Sequence, residues 1–444
     1  MYNRTGDDMV KIIGAGLAGS EAAYFLANQG IPVKLYEMRP KKMTPVHQTS
    51  HFAELVCSNS FRSNDIKNAV GLLKEEMRQL NSLIMHAADL NPVPAGSSLA
   101  VDREQFSLTV TDKIYNHPLI EVIHEEVTDI DFDTYTMIAA GPLASDSLFT
   151  KIQSLFSQDH LHFFDAVAPI IAADSIDQNI CYLKSRYDKG EAAYLNCPLT
   201  KEEYLNFYET LKQSDLAEVK DFEQNIFEGC MPIEVMADRG VDTLRFGPLK
   251  PVGLEREGYE KPYAVVQLRQ DDFSKTMYNI VGFQTHLTWP AQKRLIQMIP
   301  GLSEAHILRY GVMHRNTYIK SPEILNDSFQ TKSYPKLFFA GQISGVEGYV
   351  ESAASGINAA LQIANLIHHD KQSPLPRETM MGAMAAYVST PNHNFVPMNA
   401  NFGLLPPLED KHRKYARRNA YAERALDHLK KYLEENAWIT SRPF

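Results

Sequence analysis

Val10-Lys11-Ile12-Ile13-Gly14-Ala15-Gly16-Leu17-Ala18-Gly19, followed by Val33-Lys34-Leu35-Tyr36-Glu37, reads as strand, glycine turn, helix, second strand and terminal carboxylate. That order is the grip of a dinucleotide-binding sheet. Gly14 permits the tight turn, Gly16 lets backbone N–H groups approach a pyrophosphate at a helix N-terminus, and Gly19 allows the helix to pack close to the strand. Glu37, 18 residues beyond Gly19, is placed to accept a hydrogen bond from a ribose hydroxyl. These residues leave FAD and NAD equally open.

Later stretches extend the sheet. Asp133 to Pro142 gives a short apolar strand ended by Gly141, and Lys336-Leu337-Phe338-Phe339-Ala340-Gly341-Gln342 gives another, followed by a glycine-rich loop and a small-residue helix from Val350 to Ile367. The expected fold is therefore α/β, with a split Rossmann-type domain over 1–150 and 335–372. Residues 151–334 mix helical runs (Lys201 to Leu216) with strand-like ones (Tyr263 to Leu268), which predicts an inserted α/β substrate domain. Residues 373–444 form a C-terminal segment ending in a basic helix from about Asp410 to Glu434.

The chain has 444 residues, 44% of them hydrophobic and 22% charged, with a formal net charge of −10. Nucleic acid is then bound only through a local basic surface, since the long-range field repels it. Lys411 to Lys431 is such a surface: eight Lys or Arg against Glu423 and Asp427. Arg413, Lys414, Arg417 and Arg418, interleaved with Tyr415 and Tyr421, suit phosphate contacts and base stacking. No signal peptide or membrane-length apolar run is apparent, and four cysteines without C-x-x-C spacing fit a reducing, cytoplasmic setting. His47-x-x-x-His51 lacks a partner carboxylate in the H-E-x-x-H manner, so no metal is expected.

Two cysteines stand in chemically dense surroundings. Cys57 lies in Glu54-Leu55-Val56-Cys57-Ser58-Asn59-Ser60-Phe61-Arg62, and Cys230 lies in Gly229-Cys230-Met231-Pro232-Ile233-Glu234 ahead of Arg239 and Arg245. Nearby arginines favour a thiolate. Cys181 and Cys197 read as structural.

Taken with Glu37-Met38-Arg39-Pro40, Thr243-Leu244-Arg245-Phe246-Gly247-Pro248 and Ala340 to Tyr349, these motifs closely resemble the folate- and FAD-dependent tRNA (uracil-5-)-methyltransferases. The resemblance spans nearly the whole chain. It implies transfer of a one-carbon unit from 5,10-methylenetetrahydrofolate to C5 of a T-loop uridine, with NAD(P)H as reductant and FAD carrying both methylene and hydride. Cys230 matches the family's nucleophile and Cys57 its second essential cysteine. Gly14, Ala15, Gly16, Leu17, Ala18, Gly19, Glu37 and Arg39 would hold the adenosine half of FAD. The loop from Gly345 to Gly356, with Gly341, Gln342 and Gly348, would hold the isoalloxazine side. His286 and His314 are the candidates to stack on folate, and the basic helix becomes a tRNA contact. The same chemistry on ribosomal RNA, and a flavin oxidoreductase of small molecules, are the alternative readings.

Overall fold

The computed structural model describes residues 9–156, 161–188, 191–217, 231–392, 395–409, 413 and 416–439, with backbone alone at 161–166 and 314–315. Val10–Ile13 (β1) and Val33–Tyr36 (β2) run parallel, joined by helix α1 (Leu17–Asn28). Ile120–Ile123 (β3), Thr136–Ile138 (β4) and Leu337–Phe339 (β5) complete a parallel sheet in the order β5-β4-β1-β2-β3. Its strands carry Ile12, Leu35, Met137 and Phe338, all fully buried, as expected of a parallel sheet covered on both faces.

Helix α4 (Tyr349–His369) packs against α1. Its first half is Ser352-Ala353-Ala354-Ser355-Gly356, and these small side chains let the two backbones close. A methyl on Gly356 would stand 2.3 Å from the Ala18 carbonyl oxygen, and one on Gly19 would stand 1.8 Å from that of Gly14. Helix α1 is thus held between the glycine turn and α4.

Two buried carboxylates cap helices on this core. Glu21 of α1 accepts from Ser82 Oγ and the Leu83 and Ile84 amides at the start of α3 (Leu83–Leu90), and burial pushes its carboxyl up to about 7. Glu76 of α2 (Ala69–Gln79) accepts from the Met380 and Met381 amides at the start of α5 (Met380–Ser389), and burial pushes it up to about 8. Residues beyond 373 therefore share the first core rather than standing apart, and Tyr421, Ala425 and Leu429 of α6 (Arg417–Glu435) join it.

The intervening chain builds a second sheet, antiparallel, in the order Tyr182–Leu183, Tyr194–Leu199, Ala264–Gln270, Met277–Ile280, Ile170–Ala172, Ile307–Arg309. It has its own core, in which the Cys181 and Cys197 sulfurs lie 3.2 Å apart. The helix Lys201–Lys212 lies against this sheet, started by a reciprocal Thr200–Glu203 capping box. Among the described residues no helix is long and apolar enough to cross a membrane.

Candidate active site

The glycine turn opens on a cavity of about 480 Å³. Gly14 adopts φ +101°, a conformation costly for a side chain, and a methyl there would meet the Ala139 carbonyl oxygen at 2.6 Å. Gly16 caps α1 and faces open space: a methyl there would meet nothing within 4 Å. The N-terminus of α1 therefore presents its backbone to the cavity without obstruction, the arrangement that suits a pyrophosphate.

Glu37 lines the same cavity. Its carboxylate accepts from the Ala15 amide at 3.0 Å and from the Arg39 amide at 3.1 Å, and it pairs with the Arg39 guanidinium at 3.0 Å. Burial raises the carboxyl's pKa, but the Arg39 charge and these hydrogen bonds outweigh it and hold Glu37 below its ordinary value. Arg39, only 2% exposed, also reaches the Thr49 carbonyl and Glu54. The acidic residue is thus fixed as a charged acceptor. These residues fit the adenosine half of a dinucleotide such as FAD.

Cys57 lines this cavity too, half-buried, and its loop is tied down from several directions. The Tyr349 hydroxyl oxygen accepts from the Cys57 and Ser58 amides at 2.8 and 3.1 Å. Arg103 donates to the Leu55 carbonyl, Arg309 to that of Val56 at 2.8 Å, and Arg269 to Ser58 Oγ at 2.7 Å and Asn59 Oδ1 at 2.9 Å. Asp271 balances Arg103 through a two-oxygen pair at 3.0 and 3.1 Å. Three guanidiniums from both halves of the chain thus set the loop that carries the thiol. None of these arginines is marked by its sequence spacing. Tyr349 falls in the glycine-rich motif, but its grip on the Cys57 loop could not be read there.

The remaining expected residues divide. Leu17, Ala18, Gly341, Gln342 and Gly348 line the cavity, and Ala15 meets it through Glu37. Gly19 and Gly356 do not line it; both serve close packing of α1. The loop read as Gly345 to Gly356 ends at Gly348, because helix α4 begins at Tyr349.

His286 does not line the cavity. It is 3% exposed, and its ring nitrogen and amide both meet Glu234 Oε1, at 2.5 and 2.8 Å, with Thr285 Oγ1 on the other carboxylate oxygen. Its position is that of an anchor rather than a stacking face. Glu234 follows Cys230 by four residues, and the Ile233 amide bonds the carbonyl of Gln284, which does line the cavity. Cys230 and Lys414 lie outside the described residues, as does the side chain of His314. Tyr421 is not available to stack on a base, being 4% exposed and stacked on Phe402. The basic helix begins at Arg417, later than the sequence suggested; Arg413 is exposed just before it, and Arg418 is exposed in its first turn.

Comparison with known proteins fits this geometry. Residues 9–371 match the family model described as glucose inhibited division protein A. A protein of Acholeplasma laidlawii named methylenetetrahydrofolate–tRNA-(uracil-5-)-methyltransferase TrmFO is 65% identical over 426 residues, 96% of this chain and 99% of that protein. This chain belongs to the TrmFO family. A TrmFO of Bacillus cereus is 57% identical over 429 residues, again 96% of this chain and 99% of the relative. The GidA structure of Aquifex aeolicus shares the fold, with a TM-score of 0.69 at 16% identity over 98% of this chain and 76% of that one. The TrmFO relatives thus match at nearly full length.

Proposed function

We infer that this chain is an FAD-dependent enzyme that methylates C5 of a T-loop uridine in tRNA, with 5,10-methylenetetrahydrofolate as carbon donor and NAD(P)H as reductant, in the cytoplasm. The observation that carries the reading is the single cavity in which the glycine turn and Glu37 meet the Cys57 loop. A cofactor grip alone fits many reactions, but one that shares its cavity with a thiol on a loop held by Tyr349 and three arginines fits a reaction in which that thiol moves a proton beside the bound cofactor.

Gly14, Gly16 and Glu37 hold the adenosine half of FAD, and Gly341, Gln342 and Gly348 receive its isoalloxazine side. When bound, FAD supplies what side chains lack, transfer of a one-carbon unit and of hydride. Uracil C5 is a poor nucleophile. The Cys230 thiolate adds to C6, the displaced electron pair becomes an enolate, and C5 bonds the one-carbon unit. Cys57 takes the C5 proton, which must leave before the C5–C6 double bond can re-form. The enolate regenerated on reduction re-forms the C5–C6 double bond and expels Cys230. The anchor from Glu234 to His286 and Thr285 positions the segment that follows Cys230. Arg413, Lys414, Arg417 and Arg418 contact the RNA.

The test is incubation of the holoenzyme with labelled methylenetetrahydrofolate, NADPH and separate tRNA and ribosomal RNA transcripts. Label at C5 of a T-loop uridine is expected, and Cys230→Ala should keep FAD yet transfer no label. Label confined to ribosomal RNA would overturn the substrate assignment. Full activity in Cys230→Ala would remove that residue from the mechanism.

A further inference from the structure

Arg62 lines the cofactor cavity and also a second cavity of about 560 Å³. The wall between them is an ion pair of the partly exposed Arg62 with the buried Glu351. Arg62 donates to Glu351 Oε1, which also accepts from the Ala400 amide, and Ala400 faces the second cavity. Arg62, Lys67, Arg417 and Arg418 converge on this cleft, and among the described residues no carboxylate lines it. Among the described residues, Lys67, Arg417 and Arg418 form no ion pair. Asn68, the N-cap of α2, makes no side-chain cap and the first turn of that helix has no acid, so the positive helix end also faces the cleft.

The surroundings sharpen the charge. Lys74, fully buried behind the cleft, donates to the carbonyls of Phe61, Arg62 and Ser63 and holds the strand Ser60–Ser63 in place. Burial, then the charges of Arg62 and Arg78, push Lys74 down to about 7. On a chain of net charge −10, three cations with no ion-pair partner among the described residues, converging beside the paired Arg62, cost self-repulsion that an anion relieves. Guanidiniums match phosphodiester oxygens in pairs.

We propose that this cleft seats backbone phosphate of the RNA substrate and so registers the target nucleotide against the neighbouring cofactor cavity. The proposal rests on the reading of the chain as an RNA methyltransferase and names where the strand is held. Arg417 and Arg418 then act with Lys67, which the sequence leaves 350 residues from Arg417, as one phosphate site rather than as a diffuse basic helix. Arg62, common to both cavities, links phosphate occupancy to the wall of the cofactor site.

The test measures tRNA binding by the FAD-loaded enzyme across a salt series for Lys67→Ala, Arg418→Ala and their combination. Lys430→Ala, an exposed cation on the same helix that does not line the cleft, serves as control. Each cleft variant should weaken binding by about 5- to 10-fold at moderate salt and lower the slope of log affinity against log salt by about 0.7 to 0.9, with the combination lowering it by roughly twice as much. KM for tRNA should rise accordingly, and flavin content checks that each variant is folded. Cleft variants that behave like Lys430→Ala, in an enzyme that still methylates tRNA, would overturn this proposal and leave the proposed function standing. An enzyme that methylates no tRNA would bring down the function itself. Displacement of the RNA by polyglutamate at the same charge concentration as by polyphosphate would make the cleft an acidic-peptide site and also overturn the proposal.

Discussion

Gly19→Ala tests how tightly the cofactor grip is built. The added methyl lands 1.8 Å from the Gly14 carbonyl oxygen and 3.0 Å from its carbon, whereas carbon contacts settle at about 3.5–4.0 Å. The atom in the way is backbone, so α1 must withdraw by roughly 1.5 Å. It cannot do so freely, because Gly356 already brings α4 against Ala18 on its other side. Overpacking against backbone lies at the upper end of the usual range, about 3 kcal/mol, and alanine returns about 1 kcal/mol through helix preference. A net loss of about 2 kcal/mol lowers the melting temperature of a 444-residue apo-protein by roughly 2 °C. Flavin affinity should fall at least about tenfold, equivalent to about 1.4 kcal/mol, as the helix N-terminus leaves its place. Gly16→Ala is the contrast. Its φ of −72° suits alanine and nothing lies within 4 Å, so apo melting should change by less than about 0.5 kcal/mol in equivalent stability, yet flavin binding should suffer because the methyl enters the cavity. Apo melting curves and flavin titration read both. Equal apo destabilisation by the two variants, or none by Gly19→Ala, would refute the packing argument.

Glu37→Gln should lower apo stability by about 3–5 kcal/mol, since it strips a buried guanidinium of its main partner, and should abolish flavin retention; an unchanged urea midpoint would contradict this. The raised carboxyl of Glu76 predicts a pH effect. Its folded form holds a proton up to about 8 while the ordinary value is 4.5, so the folded state binds more protons in that window. Stability should therefore fall as pH rises through it, by up to about 1.4 kcal/mol per pH unit from this group. Glu76→Gln should flatten that portion of the profile, as denaturation midpoints at pH 5 to 8 would reveal. Alkylation mapped by mass spectrometry should mark the Cys57 peptide in the native apo-protein and leave Cys181 and Cys197, both buried, unmodified until unfolding; the reverse order would contradict the placement of these thiols.

The first sheet was legible because its signals are local. The Gly14–Gly19 turn and the apolar strands each read correctly from a few neighbouring residues, and Glu37 follows the end of β2 beside the cavity, since turn geometry and strand burial act over short spans. The strand read as Tyr263 to Leu268 lies at Ala264–Gln270, and the helix read to Leu216 stops at Lys212, errors of the size that fraying ends produce. What failed depends on packing at long range. The sequence places Gly356 both within the Val350 to Ile367 helix and as a cofactor contact; the helix is there, but the glycine serves the approach of Ala18 rather than the cavity. His286 stood in a polar stretch as a candidate folate partner, but Glu234, 52 residues away, holds it buried through hydrogen bonds to its ring and amide. Tyr421 looked like a stacking residue until the apolar stripe of α6 turned it inward. The arginines around Cys57 had no local mark, because residues 103, 269 and 309 meet only after both sheets form.

The strand order has a consequence for how the enzyme is born. β4 pairs on one side with β1, which emerges from the ribosome early, and on the other with β5, whose residues 337–339 follow nearly 200 positions later. Until then the nascent sheet presents a bare apolar edge at β4. Gly341, Gln342 and Gly348 travel on the same late segment, and α4 must dock before α1 is held on both sides. The cofactor grip that opens the chain is therefore completed only when about three quarters of it has been made. A nascent chain stalled before Leu337 should remain a chaperone client with no flavin to stabilise it.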